Sequence, residues 1–253
     1  MKDAQERITL VTCYDYTSAK IVNETNIDAI LVGDSAAMVM HGYDTTINAD
    51  VSMMEKHVAA VRRGAPDKFL IADMPFLAHR KGLEPTMNAV ESLVRAGAQA
   101  VKIEGIDPHQ DYISHIVLSG VPVIGHLGLT PQSVHQIGGY KLQGKGINAE
   151  EQFLKDARKL QDQGCFSLVL EMIPATLAKK VTDLLSIPTI GIGAGPHTSG
   201  QVLVYQDVLG MNIDFQPKFL RTYMKGFSLI KNALNTFASD VKALKYPSEK
   251  ESF

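Results

Sequence analysis

The chain has 253 residues, and its 45% hydrophobic and 21% charged side chains are ordinary proportions for a globular protein that buries a sizeable core. Its formal net charge is -2, from 25 basic and 27 acidic residues, so no basic surplus indicates nucleic-acid binding and no lysine-rich tract indicates membrane binding. No stretch approaches the ~20 apolar residues of a membrane span, and the charged N-terminal segment is unlike a signal peptide, so we expect a cytoplasmic protein.

Eight short runs of nearly all apolar residues predict β-strands. In chain order they cover residues 9–15, 29–34, 69–75, 100–105, 121–129, 167–172, 187–195 and 201–205. The segments between most of them carry apolar residues at helical spacing, such as Val51, Met54, Val58 and Val61. Strands that are apolar on both faces indicate a parallel sheet covered by helices.

Eight strands in about 250 residues match a (β/α)8 TIM barrel, which we expect to form a single domain over residues 1–253. The alternative within the α/β class is a doubly wound open sheet. Such sheets often carry a GxGxxG fingerprint after the first strand, and this fingerprint is absent. The closest run, GIGAG at 191–195, follows the seventh predicted strand instead.

Two segments do not fit a simple repeat of one strand followed by one helix. The glycine-rich segment 130–148, TPQSVHQIGGYKLQGKGIN, is long for a loop in a compact domain, and such loops are usually functional. Our hypothesis is that it closes over a site. A second segment, over about 217–245, places apolar residues at helical steps. This stripe must be buried, either on the barrel or on a second subunit.

Polar residues stand at the carboxyl ends of five consecutive predicted strands. Asp34 ends the second strand, Asp73 the third, Glu104 the fourth, His126 the fifth and Glu171 the sixth. In a parallel barrel these ends collect at one rim, where barrel active sites are built. Lys102 precedes Glu104 by two residues, so both side chains leave the same face of their strand.

Several carboxylates in one partly desolvated pocket repel one another unless a cation or a proton intervenes. Asp34, Asp73 and Glu104 supply oxygen ligands of the kind that Mg2+ prefers. No His/Cys cluster at zinc spacing occurs in the sequence, and the two cysteines, Cys13 and Cys165, are expected to be free thiols. The pattern therefore favours a magnesium site.

The remaining candidates at the rim have complementary chemistry. Lys102 offers a positive charge to an anionic substrate oxygen, and Glu171, across the mouth, is placed to act as a general base. His126 is a candidate substrate contact, with a hydrogen bond that braces a loop as the equal alternative.

Each candidate also has an ordinary structural explanation. Asp34 and Ser35 are suited to capping the following helix, and Asp73 precedes residues typical of a turn. Glu171 is able to pair with a lysine or arginine, and Lys102 is long enough to extend to solvent. The coincidence of five such residues at one rim favours a functional site over these separate explanations.

With these residues in place, the chain resembles the 3-methyl-2-oxobutanoate hydroxymethyltransferase family, also called ketopantoate hydroxymethyltransferase, over nearly its whole length. The motifs that carry the resemblance are VGDS (32–35), HVAAVRRGAP (57–66), ADMPF (72–76), VKIEG (101–105), GHLGLTPQS (125–133), GGYKLQGKG (138–146) and GIGAG (191–195). The chain departs from the common family pattern in the loop after Asp34 and at Ser199, Gln206 and Glu251. None of these departures falls on a proposed metal ligand or on the proposed base.

The resemblance implies a (β/α)8 barrel of the phosphoenolpyruvate/pyruvate type that transfers a one-carbon unit from 5,10-methylenetetrahydrofolate to 3-methyl-2-oxobutanoate through a magnesium-stabilised enolate. The product, 2-dehydropantoate, leads to pantothenate and coenzyme A. By the same resemblance, Asp34, Asp73 and Glu104 would surround Mg2+, while Asp34, Ser35, Asp73 and Lys102 would hold the 2-oxo acid. Glu171 would be the proton acceptor. The resemblance also implies a homo-oligomer, typically a decamer.

Two other classes of function stay open. One is another magnesium-dependent 2-oxo acid enzyme, such as a carbon–carbon lyase of the isocitrate lyase kind, although the Lys-Cys catalytic loop of those lyases is missing from this sequence. The other is a non-catalytic metabolite-binding barrel, which would bind the oxo acid without exchanging its proton.

Overall fold

The computed structural model describes residues 6–106 and 111–253. The chain forms two compact units, Met1–Leu203 and Val204–Phe253. The strands of the first unit are β1 (Ile8–Thr12), β2 (Ala29–Val32), β3 (Phe69–Asp73), β4 (Ala100–Glu104), β5 (Val123–Gly128), β6 (Ser167–Glu171), β7 (Thr189–Ile192) and β8 (Gly200–Leu203). Each pairs in parallel with the next, and β1 also pairs with β8, so the sheet closes into a barrel. The predicted strands and barrel are confirmed.

Helices surround this barrel. In the first unit they are α1 (Tyr16–Asn23), α2 (Ala36–Val39), α3 (Val51–Gly64), α4 (Leu83–Arg95), α5 (Tyr112–Leu118), α6 (Val134–Ile137), α7 (Ile147–Asp162) and α8 (Ala175–Leu184), with short 3-10 turns at Thr46–Asn48 and Pro131–Ser133. The apolar spacing of α3 buries Met54, Val58 and Val61, as the sequence predicts. Residues 193–199, all described, join β7 to β8 without a helix.

The inside of the barrel is apolar along most of its length. Its core side chains are Leu10, Ala29, Leu31, Ile71, Ala100, Ile124, Val169, Ile190 and Val202. On five strands the residue two positions after one of these core residues is polar. These five residues are Thr12, Asp73, Lys102, His126 and Glu171. Because residues two apart on a strand face the same way, the polar groups continue the inner wall of the barrel at its carboxyl end.

The second unit contains α9 (Tyr205–Val208), α10 (Gly226–Lys242) and a 3-10 turn at Glu249–Glu251. α10 lies within the predicted helical segment 217–245. Several large apolar side chains along it are exposed, namely Phe227, Leu229, Ile230, Leu234, Phe237 and Val241. Neither α10 nor any other helix in the described part of the chain has the length and apolar character needed to cross a membrane.

Gly128 allows the ends of β5 and β6 to approach closely. Its φ is +102°, and a Cβ at this position would lie 2.1 Å from the carbonyl oxygen of Glu171. The next residue, Leu129, donates its backbone N–H to the same carbonyl at 2.9 Å. A side chain at position 128 would therefore force β5 away from the backbone of Glu171.

We expect Gly128→Ala to lower the free energy of unfolding by about 1–3 kcal/mol more than Gly139→Ala, because of this overlap. Gly139 is a matched control: its φ is +109°, but a Cβ there meets no atom within 4 Å. Its variant carries only backbone strain, of about 1–3 kcal/mol. Urea unfolding followed by circular dichroism measures both losses, and equal losses would contradict the close packing of Gly128 on β6.

Candidate active site

The structure brings the predicted rim residues together at the carboxyl end of the barrel. Asp73 lies opposite Lys102 in the pairing of β3 with β4, and Glu104 lies opposite His126 in the pairing of β4 with β5. Asp34 follows β2 by two residues, and its backbone N–H donates to Oδ2 of Asp73 at 2.9 Å. All five residues are buried. The predicted convergence of these side chains is thus present in the fold.

Lys102 lies among the carboxylates. Its Nζ is 3.3 Å from Oδ1 of Asp73 and 3.3 Å from Oε1 of Glu104. Burial alone would lower the pKa of Lys102, because it disfavours the charged form, but the surrounding carboxylates outweigh burial and raise it. Lys102 therefore stays protonated, and the alternative that its side chain extends to solvent is wrong.

The three candidate metal ligands do not share one electrostatic environment. Burial raises the pKa of Asp34 well above its usual range, and repulsion from Asp73 and Glu104 adds to the effect. Burial also raises the pKa of Asp73, although Lys102 opposes it. For Glu104 burial is outweighed by Lys102 and His126, which lower its pKa to about 2. One ammonium group thus does not neutralise all three carboxylates.

His126 joins this buried cluster to Glu171. Its Nδ1 lies 3.0 Å from Nζ of Lys102 and 3.3 Å from Oε1 of Glu104, and its Nε2 lies 3.2 Å from Oε2 of Glu171. Burial and Lys102 lower the pKa of His126, but Glu104 and Glu171 outweigh them and raise it. Among the described residues, Glu171 thus pairs with a histidine and not with a lysine or arginine. Its side chain is 18% exposed, against 2% for His126.

Ser35 precedes α2, but its side chain makes no capping hydrogen bond, so the capping explanation is wrong for this residue. Its Oγ instead shares a hydrogen bond of 2.7 Å with Oη of Tyr14. Tyr14 is fully buried after β1, and burial raises the pKa of its hydroxyl. Tyr14 was not among the predicted site residues, since a single tyrosine after an apolar run carries no distinctive signal.

Gln132 is a second residue of the cluster that the sequence pattern does not single out. It lies in the 3-10 turn Pro131–Ser133 after β5 and is buried. Its Nε2 donates to Oδ2 of Asp34 at 2.8 Å and to the carbonyl oxygen of Met74 at 2.9 Å. Its backbone N–H donates to Oε2 of Glu104 at 3.0 Å. The one sequence feature that indicates a functional role for Gln132 is its place near the start of the segment 130–148.

The donor set fits a hard divalent cation. Asp34, Asp73 and Glu104 offer carboxylate oxygens, and the buried Oδ1 of Asp73 accepts no hydrogen bond in the described structure, despite its ion pair with Lys102. Within the described ranges, no group of three or more His, Cys, Asp or Glu side chains is arranged so that it could hold a metal ion. Mg2+ usually takes one or two protein carboxylates and completes its shell with water and substrate oxygens. These residues fit such an ion.

A closed parallel barrel with a buried charged cluster at the carboxyl ends of its strands is the architecture of a (β/α)8 enzyme. The model of the ketopantoate hydroxymethyltransferase family matches residues 1–249. The 3-methyl-2-oxobutanoate hydroxymethyltransferase of Coxiella burnetii is 56% identical over 248 residues, 98% of this chain and 93% of the relative. That of Bdellovibrio bacteriovorus is 55% identical over 252 residues, 100% of this chain and 96% of the relative. The chain belongs to the ketopantoate hydroxymethyltransferase family, whose transfer reaction serves pantothenate biosynthesis.

Solved structures share this barrel fold. A 2,3-dimethylmalate lyase, a member of the PEP mutase/isocitrate lyase superfamily, has a TM-score of 0.60 and 18% identity, and the match covers 100% of this chain and 88% of the lyase. Phosphonopyruvate hydrolase in complex with oxalate and Mg2+ has a TM-score of 0.63 and 13% identity, covering 98% and 89%. At these identities the likeness concerns the fold alone. The lyase alternative is not favoured, because the relatives of much higher identity are hydroxymethyltransferases.

We expect Lys102→Met to lower the free energy of unfolding by about 3–5 kcal/mol, because it leaves buried carboxylates without their cation. Urea unfolding at neutral pH measures the loss. Lys179→Met is the control: Lys179 pairs with Asp183 on the surface of α8 and its side chain is 56% exposed. Its loss should stay below about 1 kcal/mol. Similar small losses in both variants would contradict the stabilising role of Lys102.

Proposed function

We propose that the protein transfers a hydroxymethyl group from 5,10-methylenetetrahydrofolate to carbon 3 of 3-methyl-2-oxobutanoate, giving 2-dehydropantoate, with one Mg2+ per subunit. The observation that carries this proposal is the buried contact network from Asp73 through Lys102 and His126 to Glu171. The network combines the positive charge of Lys102, carboxylate oxygens that are available to a cation, and the partly exposed carboxylate of Glu171. Enolate chemistry on a 2-oxo acid needs these three components.

In this proposal Asp34, Asp73 and Glu104 hold the magnesium ion. Asp34, Ser35, Asp73 and Lys102 hold the 2-oxo acid, with His126 as a further contact. When bound, Mg2+ supplies Lewis-acid polarisation of the keto group, which makes the neighbouring C–H bond more acidic. Phosphonopyruvate hydrolase, which shares this fold, was solved with oxalate and Mg2+, so a barrel of this fold is able to hold a small dianion together with Mg2+.

Glu171 is the proposed general base. Its carboxylate takes the proton from carbon 3, and the electron pair of the broken C–H bond forms the new C–C bond to the methylene carbon of the folate. One C–N bond of that methylene breaks as the new bond forms, and its nitrogen takes the proton held by Glu171. Water then displaces the second nitrogen, leaves its hydroxyl group on the transferred carbon and gives its other proton to that nitrogen, so tetrahydrofolate is released. Lys102 adds positive charge beside the oxygen on which negative charge develops. His126 contacts this carboxylate, with its Nε2 3.2 Å from Oε2 of Glu171, although the two atoms do not form an aligned hydrogen bond. The segment 130–148 excludes water from the site while the carbanion exists.

Exchange of the proton on carbon 3 tests the base and the metal without folate. In D2O with Mg2+, the native protein should remove the carbon 3 proton signal of 3-methyl-2-oxobutanoate. Glu171→Gln should slow this exchange about 100- to 10,000-fold, the usual contribution of a positioned general base. Proton NMR of the oxo acid follows the reaction.

The control for this experiment is Glu151→Gln, which changes an exposed glutamate of α7 in the same way and should leave exchange intact. A chelator should stop exchange in the native protein, and added Mg2+ should restore it. Unimpaired exchange in Glu171→Gln would show that the base is another residue, and exchange that survives chelation would contradict the metal site. Binding of the oxo acid without any exchange would identify a non-catalytic metabolite-binding barrel.

We also propose that residues 1–253 act as one domain in a cytoplasmic homo-oligomer, a decamer as the family resemblance implies, with the segment 217–245 at a subunit interface. The exposed apolar side chains of α10 support this, since Phe227, Leu234 and Phe237 would be covered by a neighbouring copy. Light scattering after size exclusion should give a mass that is a multiple of the chain's 27.6 kDa. A monomer at micromolar concentration would contradict the interface.

A further inference from the structure

Gln132 connects the loop after β5 to the ends of three other strands. Through its side chain it contacts Asp34, which follows β2, and Met74, which follows β3; through its backbone it contacts Glu104, the last residue of β4. The three hydrogen bonds are 2.8, 2.9 and 3.0 Å long, and the residue is only 6% exposed. A buried residue with this many polar contacts has little freedom to move.

The side-chain amide of Gln132 has a single compatible orientation. Each of its two Nε2 hydrogens meets an acceptor, one on Asp34 and one on Met74. A flipped amide would turn its own oxygen toward these two acceptor oxygens, which repels both. The group therefore fixes the distance between the carboxylate of Asp34 and the backbone after β3.

Asp34 needs such a contact more than the other carboxylates do. Asp73 and Glu104 are on regular strands, whose pairing sets the direction of their side chains, whereas Asp34 lies beyond the last residue of β2. It is also repelled by both other carboxylates. A neutral amide orients Asp34 without cancelling its charge, and a hydrogen bond to Oδ2 leaves the second carboxylate oxygen for a cation.

We infer that Gln132 is a positioning residue that orients Asp34 and Glu104 for the divalent cation, and that it does so without touching the substrate. The inference rests on the proposed function. Because Gln132 lies at the start of the segment 130–148, the path of this segment and the orientation of two carboxylates depend on each other. Displacement of the turn Pro131–Ser133 would release both acids together.

Direct Mn2+ binding tests this role independently of turnover. Gln132→Met keeps the length of the side chain and removes both donors. Electron paramagnetic resonance of free Mn2+, titrated with protein in the absence of oxo acid, should show about 10- to 100-fold weaker binding than in the native protein, the usual effect of losing a partner that orients a ligand. In the exchange assay the Mg2+ concentration for half-maximal rate should rise by a similar factor, while the rate at saturating Mg2+ stays within about threefold.

Gln136→Met is the matched control, because Gln136 is an exposed glutamine on α6, four residues further along the same segment. It should bind Mn2+ as the native protein does. If Gln132→Met does not fold, Gln132→Asn replaces it: the amide is kept but is one methylene too short to reach both acceptors, and the same weakening is expected.

Native Mn2+ affinity in a folded Gln132 variant, even one of lowered stability, would overturn the inference and leave the proposed function intact. A native protein that binds no Mn2+ would overturn the metal site of the proposed function and this inference with it. The two failures are therefore distinguishable.

Discussion

The Lys102 ammonium among buried carboxylates is the interaction on which the rest of the site depends. It lies within ion-pair distance of Asp73 and Glu104, in a region from which water is largely excluded. This single positive charge compensates only part of the negative charge of the three acids. The pKa shifts indicate this, because the pKa of Glu104 is lowered whereas those of Asp34 and Asp73 are raised. The site is therefore stable enough to form and still electrostatically suited to a further cation.

The barrel supplies this arrangement through simple periodicity. Inward-facing positions on β4 run from Ala100 through Lys102 to Glu104, so one strand contributes an apolar core residue, a cation and an acid in sequence. The neighbouring strands repeat the change from apolar to polar at nearly the same height. The apolar part of the interior excludes water from beneath the charged part, which strengthens each ion pair above it.

The elements that follow a repeating pattern were predictable from the sequence, and single residues in loops were not. The strands, their closed order and the meeting of Lys102 with Glu104 follow from apolar runs and from the two-residue repeat of a strand. The positions of the Gln132 and Tyr14 side chains depend on the path of the loops between strands and helices. A single glutamine or tyrosine has the same sequence neighbourhood whether it is exposed or buried, so the burial of these two residues could not be predicted. The predicted strands 187–195 and 201–205 leave only residues 196–200 between them, too few for a helix, so the direct connection of β7 to β8 agrees with the sequence.

The partial exposure of Glu171 distinguishes it from the buried charged residues behind it. Its carboxylate is open to the outside, whereas His126 and the acids behind it are sealed. In the proposed reaction, a hydrogen ion taken up by Glu171 therefore has a direct route to bulk solvent and need not pass through the interior. The buried acids then need not change their protonation for the base to return to its starting state.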